Sequence, residues 1–233
     1  LTTNRTKMLV FVSPSNPTGA VYTSVEVAAI GEWAGDRGVW VLTDEIYQRL
    51  VYGGIQARSI ASVAETEDRW VIVNGVAKTY AMTGWRVGWL VGPSDVVGAA
   101  SNHQSHLSSN VNNIAQRAAL AGLKGPAEPI EAMRLAFDHR RRIMHAMLSK
   151  MAGVTNVEPE GAFYCFPGFA AHMDRFGSAM ALASYLLEEA DVAVVPGEAF
   201  GLDGFARLSY ALSDDELELG LERMATALER AVD

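Results

Sequence analysis

The sequence predicts an α/β protein, a mostly parallel sheet in its first half followed by a smaller α+β unit. Three observations carry this. Four runs, MLVFVS (8–13), VWVLTDE (39–45), WVIVNG (70–75) and RVGWLVG (86–92), are almost continuously apolar, as strands covered on both faces are. The first two flank a stretch of helical periodicity, and strand–helix–strand is the order of a parallel sheet. Beyond Gly153 the apolar runs shorten and Pro and Gly bound them more tightly.

Taken in order, the strand at 8–13 leads through the turn-like SPSNPTG (13–19) to a helix over 23–38. Thr23 or Ser24 is its N-cap and Gly38 its stop. The strand at 39–45 follows, then those at 70–75 and 86–92. Residues 94–122 read as helical. Residues 127–151 read as one long amphipathic helix, its apolar pattern being Ile130, Met133, Leu135, Phe137, Ile143, Met147 and Leu148. The second half has a short strand within VEPEGAFYCFPGF (157–169), a helix at 178–190 and a strand at 192–195. A turn-like PGEAFGLDGF, a strand at 206–212 and a closing helix at 214–231 capped by Ser213 complete it. The expected organisation is a large domain over 1–125, an interdomain helix over 126–150 and a small domain over 151–233.

Composition narrows the function. Hydrophobic residues make up 49% and charged ones 20%, the balance of a chain that buries a core rather than of a disordered one. The net charge of −8 argues against nucleic acid or an anionic membrane surface, either of which needs a concentrated basic face. Arg140-Arg141-Arg142 is the one basic run and reads as a solvated helix face. A single cysteine, Cys165, fits a reducing compartment. No apolar stretch approaches the ~20 residues of a membrane helix. The cytoplasm is the expected setting.

In open α/β sheets chemistry gathers at the carboxyl ends of strands. The first strand ends near Asn16, the second presents Asp44 and Tyr47, the third leads to Lys78, and Arg86 opens the fourth. Each alone has an ordinary explanation: a turn, a helix cap, a half-buried ring, a surface ion pair. Together they suit one chemistry. A lysine that forms an imine with an aldehyde must be neutral, and at a pKa of ~10.4 only about one in 2,500 is neutral at pH 7, so an apolar setting helps. If the aldehyde is pyridoxal phosphate, a carboxylate keeps the pyridine nitrogen protonated, a phenol and an amide donate to the ring oxygen, and an arginine pairs with the phosphate.

The motifs SPSNPTGAVY, DEIYQRLVY, NGVAKTYAMTGWRVGW, PEGAFYCFP, VAVVPGEAFG and RLSYALS resemble, in order and over nearly the whole chain, those of the class I/II pyridoxal-phosphate aminotransferases of fold type I. The subgroup they are most similar to is the bacterial aspartate-aminotransferase-like one. The resemblance implies an aminotransferase of the aspartate type, a homodimer that moves an amino group between an amino acid and a 2-oxo acid. It implies that Lys78 holds the cofactor covalently and later shuttles the proton, while Asp44 pairs with the ring nitrogen. Tyr47 and Asn16 contact the ring oxygen, and Arg86 binds the phosphate. Arg207 clamps the substrate α-carboxylate, assisted by Asn16. No metal is implied.

Two departures from the family pattern stand out. Many members carry a phosphate-binding serine three residues before the lysine, where this chain has Gly75. The family's N-terminal part is absent, including the helix that cradles the phosphate and the determinants for a second substrate carboxylate. The expectation is a piece of a longer protein whose strands 8–13 and 86–92 are left as edges, with weak cofactor binding and the edges covered by another copy or a second polypeptide. Two alternatives remain open, a β-eliminating lyase of the same fold and a non-catalytic effector-sensing domain. His103 and His106 read as surface or interface histidines rather than metal ligands, because no carboxylate or cysteine completes a set. No phosphate-loop or nucleophile-elbow motif occurs.

Overall fold

The computed structural model describes residues 2–63 and 69–232. Its elements fall into two compact units. One comprises the residues up to Ser15 together with Val21–Ala132, and the other Asn16–Ala20 together with the residues from Met133 on.

The first unit is built on a four-stranded sheet of β1 (Met8–Val12), β2 (Trp40–Asp44), β3 (Trp70–Gly75) and β4 (Gly88–Val91), in the spatial order β1-β2-β3-β4. The first three strands are parallel and β4 is antiparallel to β3. Helix α1 (Ser24–Arg37) makes the crossover between β1 and β2. Thr23 caps it by a capping box, its hydroxyl accepting from the Glu26 N–H while the Glu26 carboxylate accepts from the Thr23 N–H, and Gly38 ends it at φ 63°. Such a cap is worth about 1 kcal/mol. Alternation along the strands gives α1 one face of the sheet. Phe11, Val41 and Ile72 pack there with Val27, Ala34, Val39 and Ile60.

The opposite face is less covered than continuous apolar strands suggest. Met8 and Val10 of β1 are 49% and 65% exposed. Among the described strands β1 and β4 are the two edges of this sheet. The helical stretch expected over 94–122 is two helices, α2 (Ser94–Ser108) and α3 (Asn113–Lys124). The break follows from Ser109 at φ 62° and from Asn112, whose side chain accepts from the N–H groups of Ile114 and Ala115. His103 and His106 lie exposed on α2.

Helix α4 (Glu128–Leu148) runs from the first unit into the second. The second unit's three-stranded sheet has the order β5-β7-β6, with β5 (Tyr164–Cys165), β6 (Val195–Pro196) and β7 (Ala206–Ser209) antiparallel. Helices α5 (Met173–Phe176), α6 (Ala179–Ala190) and α7 (Asp214–Val232) complete it. Ser213 and Glu216 form a second capping box at the start of α7.

The arginine run is not a solvated face. Arg141 is buried and pairs with Asp138 at 2.7 Å and with Glu158 at 2.6 Å. Arg142 also pairs with Asp138, and Arg140 with Asp214 at 2.6 Å. Arg141 donates as well to the Pro159 carbonyl, at 3.0 Å. The segment it holds supports the turn at 16–20, because the Glu160 and Gly161 N–H groups donate to the Gly19 carbonyl at 3.0 and 2.8 Å. Gly19 lies at φ 70°, and a Cβ there would meet Pro159. Cys165 is buried, and desolvation pushes its thiol up to about 12, so it is inert. No helix among the described residues is long and apolar enough to cross a membrane.

Candidate active site

Asp44 is the last residue of β2 and pairs in register with Val12 on one side and Val73 on the other. Its Oδ1 accepts from the Ile46 N–H at 3.0 Å, a local turn that fixes the carboxylate at the strand end. The chain then folds tightly, the Leu50 N–H donating to the Tyr47 carbonyl at 2.8 Å. Tyr47 is buried within that turn.

Lys78 follows the end of β3 by three residues and is half-buried, between buried Val76 and Thr79. The Ala81 N–H donates to its carbonyl at 3.1 Å, closing the turn that carries it. Arg86 does not open a strand, since β4 starts at Gly88. It stands just before β4 at φ 55°, a left-handed conformation that costs an L-residue roughly 1 kcal/mol or more. Because β4 is antiparallel to β3, with Gly75 opposite Gly88, its first residues lie beside the last residues of β3. The turns bearing Lys78 and Arg86 therefore share the rim that Asp44 and Tyr47 occupy.

Arg86 is exposed, donates to the Thr83 carbonyl at 3.1 Å and forms no ion pair among the described residues. It lines a cleft with Gln104, Ser108, Asn110 and Asn112. That cleft carries uncharged donors and acceptors and no carboxylate, a setting that suits an anion.

Gly75 has a packing reason of its own. A Cβ there would lie 2.8 Å from the Val87 carbonyl oxygen and 3.1 Å from the Gly88 Cα. The close approach of Val87 and Gly88, where β4 begins beside the end of β3, leaves no room for a side chain at that position.

Asn16 is not grouped with those four residues. It belongs to the second unit, where its Oδ1 accepts from Arg207 Nη1 at 2.8 Å across a separation of 191 residues. Arg207 forms no ion pair with a carboxylate among the described residues. Its guanidinium lies 4.5 Å from the Tyr164 ring centroid and 5.2 Å from that of Phe200.

One residue of the rim escapes the sequence reading. Glu45 is buried, and it accepts from the Ser59 hydroxyl at 3.0 Å and the Ile60 N–H at 3.2 Å. Neighbouring strand residues point to opposite faces, so Glu45 turns toward the α1 side, where Ile60 packs, while Asp44 faces away from it. Desolvation raises the Glu45 carboxyl above its usual range despite those two hydrogen bonds, with a further push from Asp44. The Asp-Glu doublet was the available signal, since both carboxylates cannot share a face.

The profile of the family Aminotransferase class I and II matches residues 1–224. An aspartate aminotransferase of Streptomyces avermitilis is 53% identical over 99% of this chain and 58% of its own length. An asparagine–oxo-acid transaminase of Streptococcus mutans is 41% identical over 98% of this chain and 59% of its own length. The crystal structure of an aromatic aminotransferase from Pyrococcus horikoshii superposes with a TM-score of 0.92 at 36% identity, covering 98% of this chain and 61% of that one. The chain thus spans somewhat under two thirds of the length of the relatives it matches.

Proposed function

The chain belongs to the class I and II aminotransferase family, and we propose that it carries the lysine, ring-nitrogen partner and substrate clamp of a pyridoxal-phosphate-dependent aminotransferase acting on an amino acid and a 2-oxo acid. The observation that carries this reading is the shared rim of the first sheet, where Asp44 ends one strand and the turns of Lys78 and Arg86 flank the next. The donor set fits the cofactor: one amine, one carboxylate, and one guanidinium, that of Arg86, which forms no ion pair among the described residues. The bound cofactor supplies an electron sink for the substrate carbanion.

In this reading Lys78 Nζ holds the cofactor and afterwards takes and returns the substrate α-proton. Asp44 holds a proton on the ring nitrogen by its negative charge, an attraction on the order of 4 kcal/mol at ~4 Å and an effective dielectric of ~20. Tyr47 and Asn16 contact the ring oxygen. Arg86 binds the phosphate, and Arg207 takes the substrate α-carboxylate with Asn16 holding one edge of its fork. The relatives are named for aspartate, asparagine and aromatic substrates, so the proposal is the transamination itself, of the aspartate type by overall similarity. A homodimer and a cytoplasmic setting belong to the same reading. The apolar Leu107 on α2 and Ile114 on α3, 71% and 73% exposed, support the first, and the single buried Cys165 supports the second.

The test is a nitrogen balance. Incubated with cofactor, a ¹⁵N-labelled amino acid and an unlabelled 2-oxo acid, the protein should move the label into the second carbon skeleton. Release of the label as ammonia would instead identify a lyase, and no cofactor-dependent change would leave a sensing role.

A further inference from the structure

A guanidinium that must recognise a planar carboxylate works best when its plane is fixed beforehand, because each side chain immobilised on binding weakens the complex. Arg207 is held in that way by a set of aromatic side chains.

It lies on β7, with Ser209 two residues further along the same face. Ser209 pairs with Tyr164 of β5, so Tyr164 is the diagonal neighbour of Arg207 across the sheet. The Arg207 guanidinium carbon stands 4.5 Å from the Tyr164 ring centroid and 5.2 Å from that of Phe200, both inside the range of a cation–π contact. Asn16 takes Nη1 at 2.8 Å. Two rings and one amide together fix the side chain and leave the rest of the fork for a ligand.

Phe200 is itself anchored. It packs edge-on against Phe166 at 5.8 Å, and Phe166 stacks on Phe205 at 5.3 Å. The loop that presents it, residues 197–204, is pinned to the start of α6 at two points. Glu198 accepts from the Met180 N–H and Asp203 from the Ala179 N–H, each at 2.9 Å. The loop also closes on itself, the Gly197 N–H donating to Phe205 at 2.7 Å and the Leu202 N–H to Gly197 at 3.0 Å. Gly197 admits no side chain, since a Cβ would meet the Leu202 carbonyl.

We infer that Phe200, with Tyr164, is a positioning residue for Arg207: the pinned loop 197–204 sets a ring against the guanidinium and so determines how tightly a carboxylate substrate is held. The inference rests on the reading of Arg207 as the carboxylate clamp, and the experiment separates the two. In the ¹⁵N-labelled chain the Arg207 Nε–H resonance, identified by its loss in Arg207→Lys, is followed while pyruvate is titrated in. Wild type should show a saturable shift of that resonance. Phe200→Leu should weaken pyruvate binding about fivefold and move the free resonance toward those of exposed arginines, while Phe200→Tyr should restore both. A Phe200→Leu chain that binds pyruvate as wild type does, with an unmoved Arg207 resonance, would overturn the positioning role. Pyruvate that leaves the wild-type Arg207 resonance in place, while Phe200→Leu still shifts the free resonance, would overturn the clamp reading and the inference with it.

Discussion

Gly75 is the position at which family pattern and local packing give opposite expectations, so Gly75→Ser is the sharpest single perturbation. If the glycine were merely a lost phosphate ligand, restoring serine would tighten cofactor binding. The geometry predicts the reverse. The new Cβ would stand 2.8 Å from the Val87 carbonyl and 3.1 Å from the Gly88 Cα, roughly half an ångström inside ordinary contact. Both neighbours are backbone and cannot rotate away, so β4 must shift. Overpacking of this kind costs about 1–3 kcal/mol, and a value near 2 multiplies the unfolded fraction roughly thirtyfold. The Val76 N–H donates to that same Val87 carbonyl at 3.2 Å, so the shift reaches the turns bearing Lys78 and Arg86. All the tryptophans (33, 40, 70, 85 and 89) lie in the first unit, and their fluorescence reports its unfolding. The urea midpoint should fall by about 1 M, with weaker pyridoxal phosphate binding by absorbance titration. An unchanged midpoint with tighter binding would refute the packing argument.

Three further perturbations follow from the same geometry. Asp44→Asn keeps an oxygen to accept from the Ile46 N–H, so the tryptophan-monitored midpoint should stay within about 0.5 kcal/mol of wild type, while transamination falls on the order of a hundredfold or more with cofactor still bound. The raised Glu45 pKa means that the folded state holds its proton to higher pH than the unfolded chain, whose value is near 4.5. Stability of the first unit should therefore decline as pH rises from there through the folded pKa, and Glu45→Gln should flatten that decline in urea midpoints measured across pH. At Asp138 burial pushes the carboxyl up, but hydrogen bonds and charge from Arg142 and Arg141 outweigh it and hold it below the usual range. Its contribution is present above pH ~3.8 and lost as pH falls through the depressed value. Asp138→Asn should cost the second unit about 2–3 kcal/mol at neutral pH by leaving buried Arg141 short of a partner, read by circular dichroism in urea.

The first sheet was legible because its strands are apolar runs and α1 carries its own start and stop signals at Thr23 and Gly38. The antiparallel direction of β4 was not legible: the stretch from 76 to 87 is long enough for a crossover but is taken up by tight turns and carries no α-helix. The break between α2 and α3 escaped because SSNVNN is small and polar and interrupts no strong periodicity, although Asn112 is a good cap. Arg141 misled because one of its partners, Asp138, is a helix neighbour whereas Glu158 is 17 residues away. Asp44, Tyr47, Lys78 and Arg86 could be singled out because strand ends are where side chains converge. The contact of Asn16 with Arg207 spans 191 residues, and no local pattern encodes it. Glu45 went unseen because the Ser59–Ile60 turn that receives it follows an irregular stretch.

The central claim is that Lys78 forms the covalent bond to the cofactor, and reductive trapping tests it directly. The protein is incubated with pyridoxal phosphate, reduced with borohydride, digested and mapped by mass spectrometry. The account predicts the pyridoxyl mass on the peptide containing Lys78 and its disappearance in Lys78→Ala. Stoichiometric labelling at Lys124 or Lys150, with Lys78 unmodified, would contradict it.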